Sequence, residues 1–312
     1  MSTALIVGVA SQDGSYLAEF LLAKNYTVIG TTRAAGDDLT YLSPLASRLT
    51  LATADLADPP GLADLVRKYH PDEIYNLAAM SVPIASWDKA YLTGQITGLG
   101  PVALLEAVRH HSPQSRFFQA TSREIFGPVA SHIATEQTPI HPENPYAAAK
   151  AYAHFMTRIY RQYNHLFAVS GLLFNHESPR RPLSFVTRKI TRAAASKQRV
   201  HLWDLDSPRD RGFAKEYVEA MWLMLQNKQP KDYVIATGDT HTIAEICNIA
   251  YSRVGLNYKD YVVLDPPPVP VSADSVRGDN SAIRNDLGWF PKTGFKQLIE
   301  LMVDSDLEKN LD

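Results

Sequence analysis

Tyr146 and Lys150 bracket the segment Tyr-Ala-Ala-Ala-Lys, and on a helix their i, i+4 spacing sets phenol and ammonium on one face. An ammonium near a phenol favours the phenolate, so the pair can take a proton from a substrate hydroxyl or return one. Alone, such a pair recurs by chance. Upstream, Gln119-Ala120-Thr121-Ser122-Arg123-Glu124-Ile125-Phe126-Gly127 adds the hydroxyl of Ser122 and, two residues later, the carboxylate of Glu124. A Ser, Tyr and Lys set suffices to move the proton of an alcohol oxidation. The carboxylate allows more: once a ketone has formed, the hydrogen on the adjacent carbon is acidic, and Glu124 could remove it and start an elimination. The competing reading of Glu124 is a surface charge or the acidic residue of a helix N-terminus.

The elements that must position these groups alternate through the first half of the chain. Short apolar runs alternate with amphipathic stretches, the pattern of β-α units around a parallel sheet. Strands are expected at residues 4–9, 26–32, 49–53, 73–77, 116–120 and 167–173, with helices at 15–24, 60–69 and 91–110. Right-handed crossovers make this an α/β fold with a doubly wound parallel sheet of the Rossmann type. From about Asn175 the alternation becomes irregular, with helices near 185–196, 214–226, 243–254 and 293–306. The expected division is a dinucleotide-binding domain with the catalytic residues over 1–174 and a smaller C-terminal α/β substrate lobe over 175–312, with an interleaved boundary.

Between the first strand and helix lies Gly8-Val9-Ala10-Ser11-Gln12-Asp13-Gly14-Ser15. Backbone amides at such a turn, backed by the positive end of the helix, suit a pyrophosphate. Gly8 and Gly14 have the outer spacing of a G-x-x-G-x-x-G loop, but Ser11 holds the middle place. Serine is tolerable there only if the turn needs no positive φ, and Ser11→Gly is expected to tighten NADP binding. Roughly 20 residues on, the second strand ends at Arg33, where an acidic residue would bind a free ribose 2′-hydroxyl and an arginine a 2′-phosphate. NADP is therefore expected over NAD, the alternative being a solvated arginine. Asp55-Leu56, after the third strand, could meet the adenine amino group, or Asp55 could cap the next helix. Lys150 could also hold the nicotinamide ribose hydroxyls.

Composition excludes other classes. Lys plus Arg number 31 and Asp plus Glu 33, so a net charge of −2 gives no footprint for nucleic acid or an anionic membrane. Cys247 is the only cysteine, which rules out an internal disulfide or a cysteine-based metal site, and no metal is expected. The apolar run at residues 4–10 is too short for a leader, and no stretch reaches the roughly 20 apolar residues of a membrane span. A cytoplasmic protein is expected, with a stiff extended connection at Pro266-Pro267-Pro268-Val269-Pro270.

The Ser/Tyr/Lys set resembles the short-chain dehydrogenase/reductase arrangement, and longer strings resemble one family within it, the GDP-mannose 4,6-dehydratases. They are Gln12-Asp13-Gly14-Ser15-Tyr16-Leu17, Tyr75-Asn76-Leu77-Ala78-Ala79-Met80-Ser81, Tyr146 to Lys150, Phe174-Asn175-His176-Glu177-Ser178-Pro179-Arg180-Arg181, Val186-Thr187-Arg188-Lys189 and Ala236-Thr237-Gly238. The resemblance implies a two-lobed fold, bound NADP(H) and conversion of GDP-mannose to GDP-4-keto-6-deoxymannose by an enzyme expected to be a homo-oligomer, dimer or tetramer. It implies catalytic roles for Ser122, Glu124, Tyr146 and Lys150. Gly8, Ser11, Gln12, Asp13, Gly14, Arg33, Asp55, Leu56, Leu77, Ala78 and Ala79 would hold the cofactor with Tyr146 and Lys150. Ser81, Asn175, Val186, Lys189 and Arg209 would hold the nucleotide-sugar.

The chain departs from the family at several places. Ser11 replaces the middle glycine, Arg33-Ala34 replaces tandem arginines, and Asp210-Arg211-Gly212 replaces Asp-Trp-Gly. Pro268-Val269-Pro270-Val271-Ser272-Ala273-Asp274 replaces an Arg-Pro-Ala-Glu segment, removing a phosphate-binding arginine unless Arg211 or Arg277 substitutes. The alternatives left open are a related nucleotide-sugar reductase or epimerase, a dehydratase for another nucleotide-sugar, and a dinucleotide-binding sensor without turnover.

Overall fold

A computed structural model describes residues 1–33, 36–267 and 275–309. Ala34 and residues 268–274 lie outside the described residues, and with them the expectations about the lost second arginine, the proline run and the replaced nucleotide segment. The strands are β1 (Thr3–Val7), β2 (Thr27–Thr32), β3 (Leu49–Thr53), β4 (Glu73–Asn76), β5 (Arg116–Ser122), β6 (Ile133–Ala134), β7 (Ala168–Leu173), β8 (Asn175–Glu177), β9 (Val200–Leu202), β10 (Arg211–Phe213), β11 (Tyr233–Ile235), β12 (Val262–Leu264) and β13 (Arg277–Gly278). The α-helices are α1 (Gln12–Ala23), α2 (Pro59–Tyr69), α3 (Ala90–Thr93), α4 (Gly100–His111), α5 (Pro145–Tyr163), α6 (Val186–Ala195), α7 (Ala214–Gln226), α8 (Ile243–Arg253), α9 (Ser281–Leu287) and α10 (Phe295–Lys309).

Seven strands form one parallel sheet in the order β11-β7-β5-β4-β1-β2-β3. Helices cover both faces, so its strands can be apolar throughout: every residue of β7 is buried, as are Leu5, Ile6 and Val7 of β1. On one face Leu17 and Leu21 of α1 pack with Met221 and Met224 of α7. On the other, Leu62 and Val66 of α2 and Leu104 and Leu105 of α4 cover Leu5 and Phe117. Chain order reverses between β1 and β4, so a crevice opens beyond Val7 and Asn76, where an open α/β sheet binds ligands.

This is the doubly wound Rossmann-type sheet the sequence predicts. The chain beyond Asn175 contributes to both parts of the molecule. α7 returns to pack on α1, and β11 completes the sheet beside β7. A smaller core gathers Ile190 of α6, Leu202 of β9, Ile246 of α8 and Val303 of α10.

Two local differences have physical causes. The first strand ends at Val7 rather than residue 9, because Gly8 turns the chain with φ at +89°. The single helix expected at 91–110 is instead α3, a π-helical stretch at Gly94–Leu99, and α4, with Pro101 in the first turn of α4. Proline lacks the N–H that a continuous α ladder needs, and the wider turn absorbs the break. No helix among the described residues is long and apolar enough to cross a membrane.

Candidate active site

The crevice at the strand ends is a cleft of about 720 Å³. Ser11, Gln12, Asp13, Leu77, Ala79, Ser81, Ser122, Glu124, Tyr146, Lys150 and Asn175 all line it. The β1–α1 turn sits too close to its neighbours for side chains: a Cβ on Gly14 would lie 2.4 Å from the Gly8 carbonyl oxygen, and one on Gly8 3.0 Å from Ala78. Ser11 differs from the glycine expectation. Its φ is −71°, ordinary for any residue; its hydroxyl accepts from Gly14 N at 3.1 Å and donates to the Gly8 carbonyl at 2.8 Å, capping α1. Glycine there would remove the cap without relieving any backbone strain, so the structure supplies no reason for Ser11→Gly to tighten cofactor binding.

The catalytic candidates come from β5 and α5. Asn144 caps α5 by accepting from Ala147 N at 2.8 Å, and Pro145 opens its first turn, so Tyr146 lies at the helix start and Lys150 one turn on. Lys150 is buried and its Nζ donates to the Ala120 carbonyl at 2.7 Å, which ties α5 to β5. Burial lowers the Lys150 ammonium to about 8, against a smaller upward pull from the Asp13 carboxylate. Burial raises the Tyr146 phenol to about 12; the hydrogen bond with Ser122 opposes this, while the negative charge of Glu124 adds to it. Ser122 ends β5, and its hydroxyl accepts from Glu124 N at 3.2 Å, starting the short turn Arg123–Phe126. Glu124 keeps about a third of its side chain exposed, 3.6 Å from Arg123 Nη1. Hydroxyl, phenol and carboxylate thus share one wall.

Sequence reasoning gave no role to His176. In the structure its ring bridges the two sides of the cleft, with Nε2 2.9 Å from Asp13 Oδ2 and Nδ1 2.7 Å from the Phe174 carbonyl. Both ring nitrogens lie within hydrogen-bond reach of oxygen atoms, so the ring ties Asp13 at the start of α1 to the backbone after β7. Burial would raise the Asp13 carboxyl, but His176, with help from Gln12 and Arg181, outweighs it and holds it below the usual range. Ser178 Oγ donates to Gln12 Oε1 at 2.7 Å, and Arg181 Nη1 to the His176 carbonyl at 2.6 Å. The advance signal was its place in the family string Phe174 to Arg181, dense in polar and charged residues after β7.

Other expected residues sit elsewhere. Arg33 points outward with Nε and Nη2 on Asp37 Oδ1 at 3.0 and 2.7 Å. Asp55 accepts from Ala57 N at 2.8 Å; the cap of α2 is Asp58, and Leu56 is buried in the core. Val186 and Lys189 lie on α6, with Lys189 Nζ donating to the His201 carbonyl at 3.0 Å. Arg209 pairs through its backbone with His241. The turn, the helix N-terminus behind it, the Lys150 ammonium and the buried Thr121 hydroxyl, unpartnered in the cleft wall, fit a dinucleotide cofactor.

The fold and this site together define an extended short-chain dehydrogenase/reductase. A family model described as GDP-mannose 4,6 dehydratase matches residues 5–302, and the chain belongs to that family. It is 44% identical to GDP-mannose 4,6 dehydratase 2 of Arabidopsis thaliana, over 98% of this chain and 87% of that one. It is 39% identical to the human GDP-mannose 4,6 dehydratase, over 98% and 92% of the two chains. Among solved structures, UDP-glucose 4-epimerase of Thermus thermophilus in complex with NAD superposes with a TM-score of 0.89 at 26% identity, covering 97% of this chain and 98% of that one.

Proposed function

We propose that this chain is a GDP-mannose 4,6-dehydratase, converting GDP-mannose to GDP-4-keto-6-deoxymannose with a cofactor restored in each turnover. The observation that carries the reading is the Glu124 carboxylate in the same cleft as Tyr146, Ser122 and Lys150, one acid/base group more than alcohol oxidation needs. A bound nicotinamide dinucleotide supplies the acceptor for the C4 hydride and its donor to C6, so no net redox results. Tyr146 takes the C4 hydroxyl proton, and Lys150 provides positive charge beneath it. Glu124 takes the C5 proton and, assisted by Ser122, delivers it to the departing C6 hydroxyl, so the two leave as one water; as C6 gains hydride, Tyr146 gives the proton it took from the C4 hydroxyl to C5, and both side chains end as they began. Residues 1–174 hold the cofactor and residues 175–312 mainly the nucleotide-sugar, with Ser81 and Asn175 in the cleft and Val186, Lys189 and Arg209 on the lobe.

The test incubates purified protein with a panel of nucleotide-sugars, without added NADPH, and follows products by mass spectrometry. GDP-mannose is expected to lose one water. Turnover that requires added NADPH marks a reductase instead, and no change in any nucleotide-sugar overturns the reading. We infer a homo-oligomer in the same preparation: Tyr152, Phe155, Ile159 and Tyr163 make an exposed stripe on α5, and Tyr91 and Leu99 are exposed on the neighbouring helical segment. Sedimentation at the monomer mass contradicts that. The single buried cysteine, Cys247, suits a reducing cytoplasm.

For the cofactor we favour NADP on the strength of Arg33, with one qualification from its neighbour. The Asp37 carboxylate occupies the guanidinium, so a 2′-phosphate must displace it. The parent protein is expected to bind NADP about tenfold more tightly than NAD, and Asp37→Asn should widen that ratio several-fold by freeing Arg33. Titration of both cofactors checks this, and equal or tighter NAD binding by the parent protein sinks it.

A further inference from the structure

Arg211 is 3% exposed, and among the described residues no carboxylate reaches it as an ion-pair partner. Nη1 is spent on backbone, donating to the His241 carbonyl at 2.6 Å and the Arg209 carbonyl at 3.4 Å, while the buried Nε has no acceptor. The charged groups around it are Glu177, Arg209, Arg181 and Asp204. Both carboxylates are engaged. Glu177 lies 3.3 Å from Arg181 Nε, and Asp204 accepts the amides of Asp206 and Ser207 at 2.8 and 2.7 Å. Burial lowers the Arg211 guanidinium to about 10, with Glu177 only partly compensating. A buried cation without a counter-ion is costly for the protein on its own and becomes favourable when an oxyanion completes it.

The register sets Arg211, buried and not itself among the residues that line the cleft, beside one that does. β10 pairs in parallel with β8, and Arg211 stands opposite Asn175, so the two side chains project from the same face of the pair. Asn175 lines the cleft. Arg277, the other candidate, is exposed on β13 and donates through Nη1 to the Gly238 carbonyl at 3.2 Å.

We propose that Arg211 is a binding residue for the diphosphate of the nucleotide-sugar, its planar guanidinium taking phosphate oxygens beside Asn175. The inference rests on the nucleotide-sugar reading of the cleft. It predicts opposite effects on binding and on stability, which a merely structural arginine would not produce. Arg211→Met should weaken GDP by at least about tenfold, since a charge-assisted phosphate contact is lost, while leaving guanosine, which has no phosphate, within about twofold. The thermal midpoint of the ligand-free variant should equal or exceed that of the parent, because a buried charge without a partner has been replaced by an apolar side chain of similar length. Arg211→Lys, which keeps the charge without the fork, should fall between them in GDP affinity. Calorimetric titration and thermal melting of the full chain read all of this. Parent-like GDP affinity in Arg211→Met overturns the inference and leaves the dehydratase reading standing. A lowered midpoint with equal loss of GDP and guanosine makes Arg211 structural and also overturns it. Failure of the parent protein to bind GDP or any GDP-sugar brings down both readings.

Discussion

Glu124→Gln is expected to cut water loss from GDP-mannose by at least about 100-fold, the low end for a positioned acid/base group. Glutamine keeps the size and planar shape of the side chain but cannot take the C5 proton. Little else should change. The contact that starts the turn runs from the Glu124 backbone N–H to Ser122 Oγ, which the substitution leaves alone. The neighbouring charge, Arg123, lies 3.6 Å away and also reaches the Gly127 carbonyl. Removal of the C4 proton depends on Tyr146 and Lys150, and neither is altered. The variant should therefore still develop reduced-nicotinamide absorbance when mixed with GDP-mannose, and that absorbance should persist instead of decaying. Water loss at the parent rate would show that Glu124 is not the base and would remove the mechanistic support for dehydration.

The shared cleft wall was legible because its residues are local: Ser122 and Glu124 share one turn, Tyr146 and Lys150 share one helical turn, and apolar periodicity located the strand and helix that carry them. The parallel sheet was legible for a similar reason, since each β-α unit contains its own pattern; residues 49–53 form β3 as read. What escaped depends on partners distant in sequence or on brief elements. Asp13 and His176 are 163 residues apart, and neither reveals the other in a one-dimensional pattern. β11 has three residues, too few for a period, and only its place beside β7 makes it a strand of the main sheet. The Arg33–Asp37 pair is local, four residues apart, yet both residues lie outside helix and strand, so no regular spacing marks the contact. Ser11 shows the reverse case. A glycine pattern suggested a backbone need that the actual φ does not impose.

Tyr146→Phe should abolish both the absorbance and the product, with a loss of about 100-fold or more in each. Tyr146 is 7% exposed, so phenylalanine keeps its packing and forfeits the hydroxyl and its bond to Ser122, a change worth on the order of 1 kcal/mol in stability. Folding should survive, and near-parent melting would certify that the kinetic loss is chemical. Without the phenol oxygen the proposed acceptor of the C4 proton is gone, so the ketone that makes C5 acidic should not form and Glu124 should have nothing to act on. This separates the two variants: Glu124→Gln stalls after oxidation, Tyr146→Phe before it. The pH dependence follows from the same pair. The phenol, pushed up to about 12, keeps its proton in the ligand-free protein throughout the neutral range, so its proton acceptance relies on nearby positive charge. Lys150, lowered to about 8, carries that charge below pH 8 and loses it above. Formation of the absorbance should therefore fall as pH rises through about 8 in both the parent protein and Glu124→Gln. An oxidation rate that climbs through that range would mean the neutral amine is the working form, and the role given to the Lys150 ammonium would fail.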